Sequence, residues 1–572
     1  MNILGISCFY HDAAAALIKD GLLIAAAEEE RFSRKKHDQE FPVNAIAFCL
    51  KKGGLTPADL DYVVFYEKPF LKFERLLMTT FQGFPRTMGL FRESMVSWLL
   101  DKLWVKGTIK DKVGIDPKRI LFSEHHISHA ASAYFCSPFQ EAAIFTADAV
   151  GEWTTTTVGY ARGNELNLEK EVRFPHSLGL LYSAFTAFLG FEVNEGEYKV
   201  MGMAPYGQPK YTDKVWKLIN VAQDGSFRLD MDYFSYHHSL TRAFNGQFES
   251  LFGRPRHPKD SHIMDPYYSD IAASIQVVLE EVILKIVNDL HRRTGLTRLC
   301  MAGGVALNSV VNGRILRETP FQELYVQPAA GDGGGAVGAA FYAYHCLLNQ
   351  PRKFLMHHAY WGQDYSLGEV REVLDSSALK YSYYDDEEKL LDRVVNFIAE
   401  GKVVGLSQGA FEFGPRALGN RSILADPRRA EMKEIVNSKI KFREPFRPFA
   451  PSVLLERSED YFVLPEPERQ LPARFMLLVT PVKESQKGEI PAVTHVDGSA
   501  RLQTVTRDTN PRYHRLIQKF GEATGVPVVL NTSFNLRGEP IVNSPADAIS
   551  TFQRSGMDML VMENFVVTKE NT

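Results

Sequence analysis

The chain opens with apolar blocks broken by short polar turns. Residues 2–7 form one apolar run, Ala13 to Ile18 a second and Leu22 to Ala27 a third, with Asp20-Gly21 between the last two. An Asp-Gly pair between apolar runs signals a hairpin, so three strands are expected. The pattern returns later as the apolar run Ala142 to Asp148, the turn Gly151-Glu152 and the β-branched run Thr154 to Tyr160. Two such openings predict two similar halves, with two unrelated hairpins as the plain alternative. Between Asp270 and Leu290, apolar residues at 271, 275, 278, 279, 282, 286 and 290 have helical spacing. A buried strand over Leu299 to Ala302 runs into Gly303-Gly304, and Gly331 to Gly335 precede a helix expected over Ala336 to Tyr344. Periodicity is lost over 347–368 and then resumes. The later elements are a helix over Glu387 to Glu400, a strand over Val403 to Leu406, and a long Arg-, Pro- and Phe-rich region to about residue 457. They end with a strand over Val526 to Leu530, a helix opened by Ser544-Pro545, and a strand over Met559 to Met562. The reading is an α/β chain of two domains, 1–355 and 365–572, joined by a linker at 356–364.

Composition narrows the class. The 572 residues are 45% hydrophobic and 23% charged, an ordinary globular balance. Lys+Arg 65 against Asp+Glu 69 leaves a net charge of -4, which argues against a dedicated nucleic-acid binder. The five cysteines are scattered without a C-x-x-C pair, as in a reducing compartment. No apolar run approaches the ~18 residues of a membrane span, so a soluble, cytoplasmic protein is expected.

Four groups of residues could carry chemistry. His125 and His129 lie four apart before an Ala-rich stretch; on a helix both rings face one way. Two nitrogen ligands need oxygen partners, and Asp148 at a strand end and Asp332 in a glycine-rich turn are the candidates. Such a set suits iron(II), manganese or zinc; a satisfied histidine pair is the plain alternative. Gly303-Gly304 and the Gly331 cluster place N–H groups at helix starts, where negative charge is stabilised, though neither is a P-loop and a simple helix-entry turn is the plain alternative. His11-Asp12 follows the first strand, where an imidazole could take a proton from a hydroxyl or simply be held by its neighbour. Arg416, Arg421, Lys441, Arg443 and Arg447 are separated by Pro, Gly and Phe rather than by acids at i+4 spacing. Stiff spacing lets cations converge, and guanidinium forks match phosphate oxygens. Asn531 to Asn535, expected just past a strand, would add neutral donors. A small phosphorylated ligand fits this set better than RNA.

In this order the motifs resemble the NodU/CmcH-type O-carbamoyltransferases over essentially the whole chain. The resemblance rests on Phe9 to Ala15, Glu28 to His37, His125 to His129, Asp148 to Trp153, Glu195 to Ala204, Gly303 to Asn308, Gly414 to Arg421, Arg443 to Pro451 and Asn531 to Asn535. Ala149 stands where glycine is usual. The resemblance implies an N-terminal actin-like ATPase fold with two similar halves and a C-terminal YrdC-like α/β domain. It implies a metal, iron(II) ahead of manganese or zinc, on His125, His129, Asp148 and Asp332. Nucleotide contacts would fall at Gly151, Gly303, Gly304, Asn308 and Gly331. Carbamoyl-phosphate contacts would fall at Arg416, Lys441, Arg447, Arg501, Asn531 and Ser533, the segment around Arg501 matching least well. His11 would be the base that frees an acceptor hydroxyl.

The implied reaction joins carbamoyl phosphate and ATP, with Mg as its counter-ion, into carbamoyl-adenylate and then carbamoylates a small-molecule hydroxyl. The acceptor pocket is expected near His11, Glu195 and Tyr233 to Phe252. Rival readings are an actin-like kinase, a tRNA threonylcarbamoyl-transfer-like enzyme and a non-catalytic nucleotide sensor. No nucleic-acid or membrane partner is expected, and a homodimer stays open.

Overall fold

A computed structural model of the chain describes residues 1–89, 91–92, 95, 98, 102–239 and 241–569. They form a mixed α/β protein of two units, one of residues 1–29 with 39–355, the other of 30–38 with 356–572.

The first unit holds two five-stranded sheets. Strands β1 (Asn2–Ser7), β2 (Ala14–Lys19), β3 (Leu22–Glu28), β4 (Tyr62–Phe65) and β5 (Ile120–Phe122) lie in the order β3-β2-β1-β4-β5. Strands β6 (Glu141–Ala147), β7 (Thr154–Arg162) and β8 (Glu165–Arg173) precede a small ribbon of β9 (Ile219–Val221) and β10 (Phe227–Leu229). With β11 (Arg298–Ala302) and β12 (Glu323–Val326) they form the sheet β12-β11-β6-β7-β8. In each sheet three antiparallel strands come first, and two more then add in parallel beside the leading one. The repeated apolar pattern is therefore a repeated topology.

Helices α1 (His125–Tyr134), α2 (Pro266–Thr294), α3 (Ser309–Glu318) and α4 (Asp332–Tyr342) complete the part that concerns the site. Helix α2 outruns its expected bounds because Asp265 caps it ahead of Pro266 and Gly295 ends it in the left-handed region. Helix α4 starts at Asp332 instead of Ala336, so Gly333, Gly334 and Gly335 lie in its first turns. Close packing explains this use of a weak helix former. A Cβ at Gly338 would overlap the Ser128 carbonyl oxygen of α1, and one at Gly5 of β1 would overlap the Ala336 carbonyl oxygen. Gly338→Ala must push α1 and α4 apart, with an expected loss of ~2–3 kcal/mol in urea unfolding; an unchanged midpoint would refute this contact.

The second unit is built on one eight-stranded mixed sheet. Its strands are β13 (Ser382–Tyr383), β14 (Val404–Ser407), β15 (Arg421–Ala425), β16 (Ala450–Leu454), β19 (Gln503–Val505), β20 (Val528–Ser533), β21 (Met559–Met562) and β22 (Phe565–Thr568), with β17 (Val479–Pro481) and β18 (Ser499–Arg501) forming a separate ribbon. The spatial order is β13-β22-β21-β14-β15-β20-β16-β19. Helices α5 (Glu387–Ala399) and α6 (Pro511–Thr524) bury Leu390, Val394, Ile398, Leu516, Ile517 and Phe520 with Val404, Leu424 and Val529 of the sheet. Helix α7 (Pro545–Gln553) opens on a capping box of Ser544 and Asp547.

Three expectations change here. The Arg-, Pro- and Phe-rich region contains strands β15 and β16, whose pairing with β20 replaces the alternation that the sequence lacks. Strand β20 runs to Ser533, so Asn531 and Ser533 stand within the ladder instead of after it. Residues 356–364 are not a free linker, since Gly362 donates to Phe411 O at 3.0 Å and Ala359 O accepts from Phe413 N at 2.7 Å. The segment 30–38 also belongs to this unit. Arg31 donates to Gly414 O at 2.6 Å, and Arg34 donates to Ile541 O at 2.7 Å and pairs with Asp547 at 3.3 Å. Among the described residues, no helix is long and apolar enough to cross a membrane.

Candidate active sites

In the first unit, four chemistry-bearing side chains meet at the carboxyl ends of the parallel strands. Helix α1 places His125 and His129 one turn apart with their Nε2 atoms 3.0 Å from each other. Asp148, just past β6, sets Oδ2 3.1 Å from His125 Nε2 and 3.2 Å from His129 Nε2. Asp332, the first residue of α4, sets Oδ1 3.5 and 3.6 Å from the same two nitrogens. All four residues are buried. Two nitrogens and two carboxylate oxygens aimed at one small volume are a ligand set for a divalent cation. Burial works to lower the His125 pKa, but Asp332, Asp148 and Glu67 outweigh it and lift it to about 10. Without a cation, protons would hold this set together. Asp332 Oδ2 is buried without a hydrogen-bond partner, as suits an oxygen that could ligate a cation.

Sequence reasoning missed the supports of this set. Glu152 accepts from the backbone N–H of His125 at 3.0 Å and of Lys68 at 2.8 Å, so it holds the start of α1 in place. Glu67 lies 3.8 Å from His125 Nδ1 and is itself paired with Lys72 at 2.6 Å. Glu152 lies inside a quoted motif, but nothing in its spacing marks it as an anchor.

The nucleotide candidates follow the same strand ends. Gly151 follows β6, Gly303, Gly304 and Asn308 follow β11, and Gly331 follows β12; these three strands are adjacent and parallel. Such ends are where open parallel sheets bind ligands. Gly151 lets His125 approach, because a Cβ there would press on the imidazole. Gly303 has a φ of 91°, and a side chain on it would strike the Ala147 carbonyl. Gly304 N–H is held by Asp148 Oδ1 at 3.2 Å, tying this turn to the histidine cluster. Asn308 caps α3 through Val311 N and exchanges hydrogen bonds with Gln276, so its side chain is engaged in the fold.

His11 lies beyond β1, and its Nδ1 is 2.8 Å from Asp12 Oδ2. With Asp12 charged, Nδ1 carries the proton and Nε2 is the basic nitrogen. Burial opposes its charged form, yet Asp12 first, then Asp332 and Asp148, raise its pKa to about 9. A cation among those two aspartates would cancel part of that rise and make the ring a better acceptor near neutral pH. The aromatic stretch expected to line an acceptor pocket is mainly core. Phe234, Phe248 and Phe252 are buried, with ring centroids of Phe248 and Phe252 4.8 Å apart and of Phe185 and Phe248 5.1 Å apart. Tyr236, His237 and His238 remain half-buried, and Leu240 lies outside the described residues.

The second unit gathers the cations. Arg501, on β18, is electrostatically coupled to Arg416, Arg443 and Arg447; burial first and then these three neighbours hold its pKa well below the ordinary guanidinium range. Its Nε is buried and has no hydrogen-bond partner. Guanidinium groups that disfavour one another's charge suit an anion that offsets them. Glu444, 3.6 Å from Arg447, is the buried acid at the edge of this group.

Lys441 has another position. Its Nζ is surrounded by Ser533 O at 2.7 Å, Ser533 Oγ at 3.1 Å, Asn535 O at 2.9 Å and Asn535 Oδ1 at 2.6 Å. It fixes the turn that presents Ser533. Asn531 spends its amide on Ala417 O, Ser452 and Gln503, leaving its own Oδ1 without a donor. Arg421 departs from the expected convergence. It is 1% exposed and donates to the carbonyls of Gln408, Gly409 and Asn420, so it braces the backbone.

Comparison with known proteins agrees along the chain. Residues 2–341 match the family described as carbamoyltransferase N-terminus, and residues 395–569 match the carbamoyltransferase C-terminus. An uncharacterized protein of Synechocystis sp. is 48% identical over 99% of this chain and 97% of its own length. Nodulation protein NolNO of Sinorhizobium fredii is 39% identical over 98% of this chain and 79% of its own. Nodulation protein U of the same organism is 28% identical over 96% of each.

Proposed function

The chain belongs to the carbamoyltransferase family and is an enzyme that transfers carbamoyl groups; on that premise we propose that it draws the group from carbamoyl phosphate, activates it on ATP and delivers it to a small-molecule hydroxyl. The arginines around Arg501 carry this reading: the Nε of Arg501 is buried without a hydrogen-bond partner, and Arg416, Arg443 and Arg447 are the charges that act on it. Arg416, Arg447 and Arg501 would bind the phosphate, with Ser533, held by Lys441, beside them. Water would cleave carbamoyl phosphate to phosphate and carbamate. The carbamate oxygen would then attack the α-phosphorus of Mg-bound ATP and expel pyrophosphate. The resulting mixed anhydride has AMP as its leaving group, which makes the carbonyl a better electrophile, and a site closed to water protects it.

Transfer belongs to the first unit in this proposal. Its duplicated sheets support the actin-like reading, and the glycines at the ends of β6, β11 and β12 are the phosphate-facing candidates. His125, His129, Asp148 and Asp332 would hold a divalent ion, iron(II) ahead of manganese or zinc. When bound, the ion would polarise an oxygen of the acyl phosphate. His11, fixed through Nδ1 by Asp12, would take the acceptor's proton on Nε2 as its oxygen attacks the carbonyl. A YrdC-like description of the second unit and a cytoplasmic location belong to the same proposal.

The test is mass spectrometry after incubation with ATP, carbamoyl phosphate and metal. Carbamoyl-adenylate and pyrophosphate are expected. His11→Asn should still form both while transfer to any hydroxyl acceptor falls ~10²–10⁴-fold, the usual range for losing a general base. If the wild-type chain forms neither product, the proposed chemistry is wrong.

A further inference from the structure

We propose that Glu412 is a positioning residue that acts through Arg416, an inference that rests on the carbamoyl-phosphate reading above. Glu412 is 1% exposed. Its Oε1 accepts from the backbone N–H groups of Leu418 at 2.7 Å, Asn420 at 2.8 Å and Arg421 at 3.2 Å. Three donors from the returning side of a loop thus converge on one oxygen supplied by the outgoing side. Between them the chain runs Phe413-Gly414-Pro415-Arg416-Ala417 and turns back. Pro415 is exposed and Arg416 half-buried, whereas Phe413, Gly414 and the residues from Ala417 to Arg421 are buried. The carboxylate is therefore a buried knot, and the residue at the loop's tip, Arg416, is one of the cations that act on Arg501.

The rest of the loop is pinned to backbone. Phe411 N and Phe413 N donate to Gln363 O at 3.1 Å and Ala359 O at 2.7 Å. The guanidinium of Arg421 grips Gln408 O at 2.7 Å and Gly409 O at 3.1 Å. Gly419, with a φ of 112°, makes the return turn against the Tyr513 ring, which a side chain there would strike. Arg31 holds Gly414 O at 2.6 Å and Asn531 holds Ala417 O at 3.2 Å, so Glu412 shares with these two the fixing of the tip that carries Arg416.

An acid suits this position better than an amide. A carboxylate oxygen holds several N–H donors more strongly than a neutral oxygen does. Its second oxygen, Oε2, is buried without a hydrogen-bond partner, and its charge also favours the buried Arg421 guanidinium. A binding group must be held to within about half an ångström by the shell behind it, and Glu412 supplies part of that shell for Arg416.

The experiment is calorimetric titration of the full-length chain with carbamoyl phosphate, and separately with ATP. The variants are Glu412→Gln, Glu412→Asp, Arg416→Ala and the double variant Glu412→Gln/Arg416→Ala. Gln keeps the size and one acceptor oxygen; Asp keeps the charge and shortens the reach. Carbamoyl-phosphate affinity is expected to fall ~30-fold for Arg416→Ala and ~5–10-fold for Glu412→Gln or Glu412→Asp, with ATP affinity unchanged. The double variant should bind within about twofold of Arg416→Ala, because nothing is left to position. If both Glu412 variants bind as wild type does, or if their loss multiplies onto that of Arg416→Ala, the inference falls. If Arg416→Ala itself binds normally, the pocket reading falls instead.

Discussion

Asp148→Asn will fold and will not retain a divalent metal. Asp148 Oδ2 is the carboxylate oxygen nearest both imidazoles, at 3.1 and 3.2 Å. Asparagine keeps an oxygen for Gly304 N–H but presents no anionic oxygen to the histidines. Its own N–H groups cannot ligate, so one of four ligands is removed while the packing is kept. After dialysis against iron(II), manganese or zinc, mass spectrometry of the wild-type chain should find about one metal per chain, and of the variant less than ~0.1. Loss of a partner behind a ligand already costs about 10–100-fold in affinity, so loss of a ligand should cost more. The tertiary fold should persist, because β6, α1 and α4 are fixed by apolar and backbone contacts that asparagine leaves in place. Metal retained by Asp148→Asn at the wild-type level would reject the centre.

Arg501→Met should lower adenylate formation at sub-saturating carbamoyl phosphate by ~10–100-fold while leaving the protein as stable or more so. Arg501 is a cation set among Arg416, Arg443 and Arg447, each of which disfavours its charge. The linear thioether fills much of the same space and removes the repulsion. A gain of about 1 kcal/mol, or a Tm higher by ~2–4 °C, is expected in thermal unfolding. Function should move the other way. A guanidinium–phosphate contact contributes ~1.5–3 kcal/mol, so carbamoyl-phosphate affinity should fall ~10–100-fold. A variant that loses both stability and binding would show that Arg501 has a structural role, and one that loses neither would remove it from the pocket. The opposed signs make the result informative, since destabilisation alone cannot mimic them.

Some elements are legible in local pattern and others are not, each for a physical reason. Apolar runs around Asp20-Gly21 and Gly151 gave hairpins where expected, since strand alternation and turn chemistry are local. Helix α2 was legible from its apolar stripe, and α7 from its Ser-Pro opening. Helix α4 was misplaced by one turn because glycine has a poor helix propensity, and only contact with α1 and β1 overcomes it. Strand β15 was unreadable because Arg421 at its start is buried by carbonyl partners that come from distant loops.

The functional side chains follow the same rule. The spacing of His125 and His129 on one helix face is a property of the sequence, as are the glycines that end each parallel strand. Their meeting with Asp148 and Asp332 is not, because those residues lie on separate elements brought together by sheet order. Arg501 matched the family pattern least well, yet only the folded ribbon β17-β18 brings it among the other guanidinium groups. Lys441, Asn531 and Arg421 show the converse: residue type suggested a ligand contact, whereas their partners show how much of each side chain the fold itself consumes. Family membership, the duplicated strand order and the kinds of chemistry present were thus written in short-range pattern. Which charges act on one another, and which merely brace the backbone, was decided by long-range packing, because electrostatic and hydrogen-bond energies depend on distances that no linear spacing encodes.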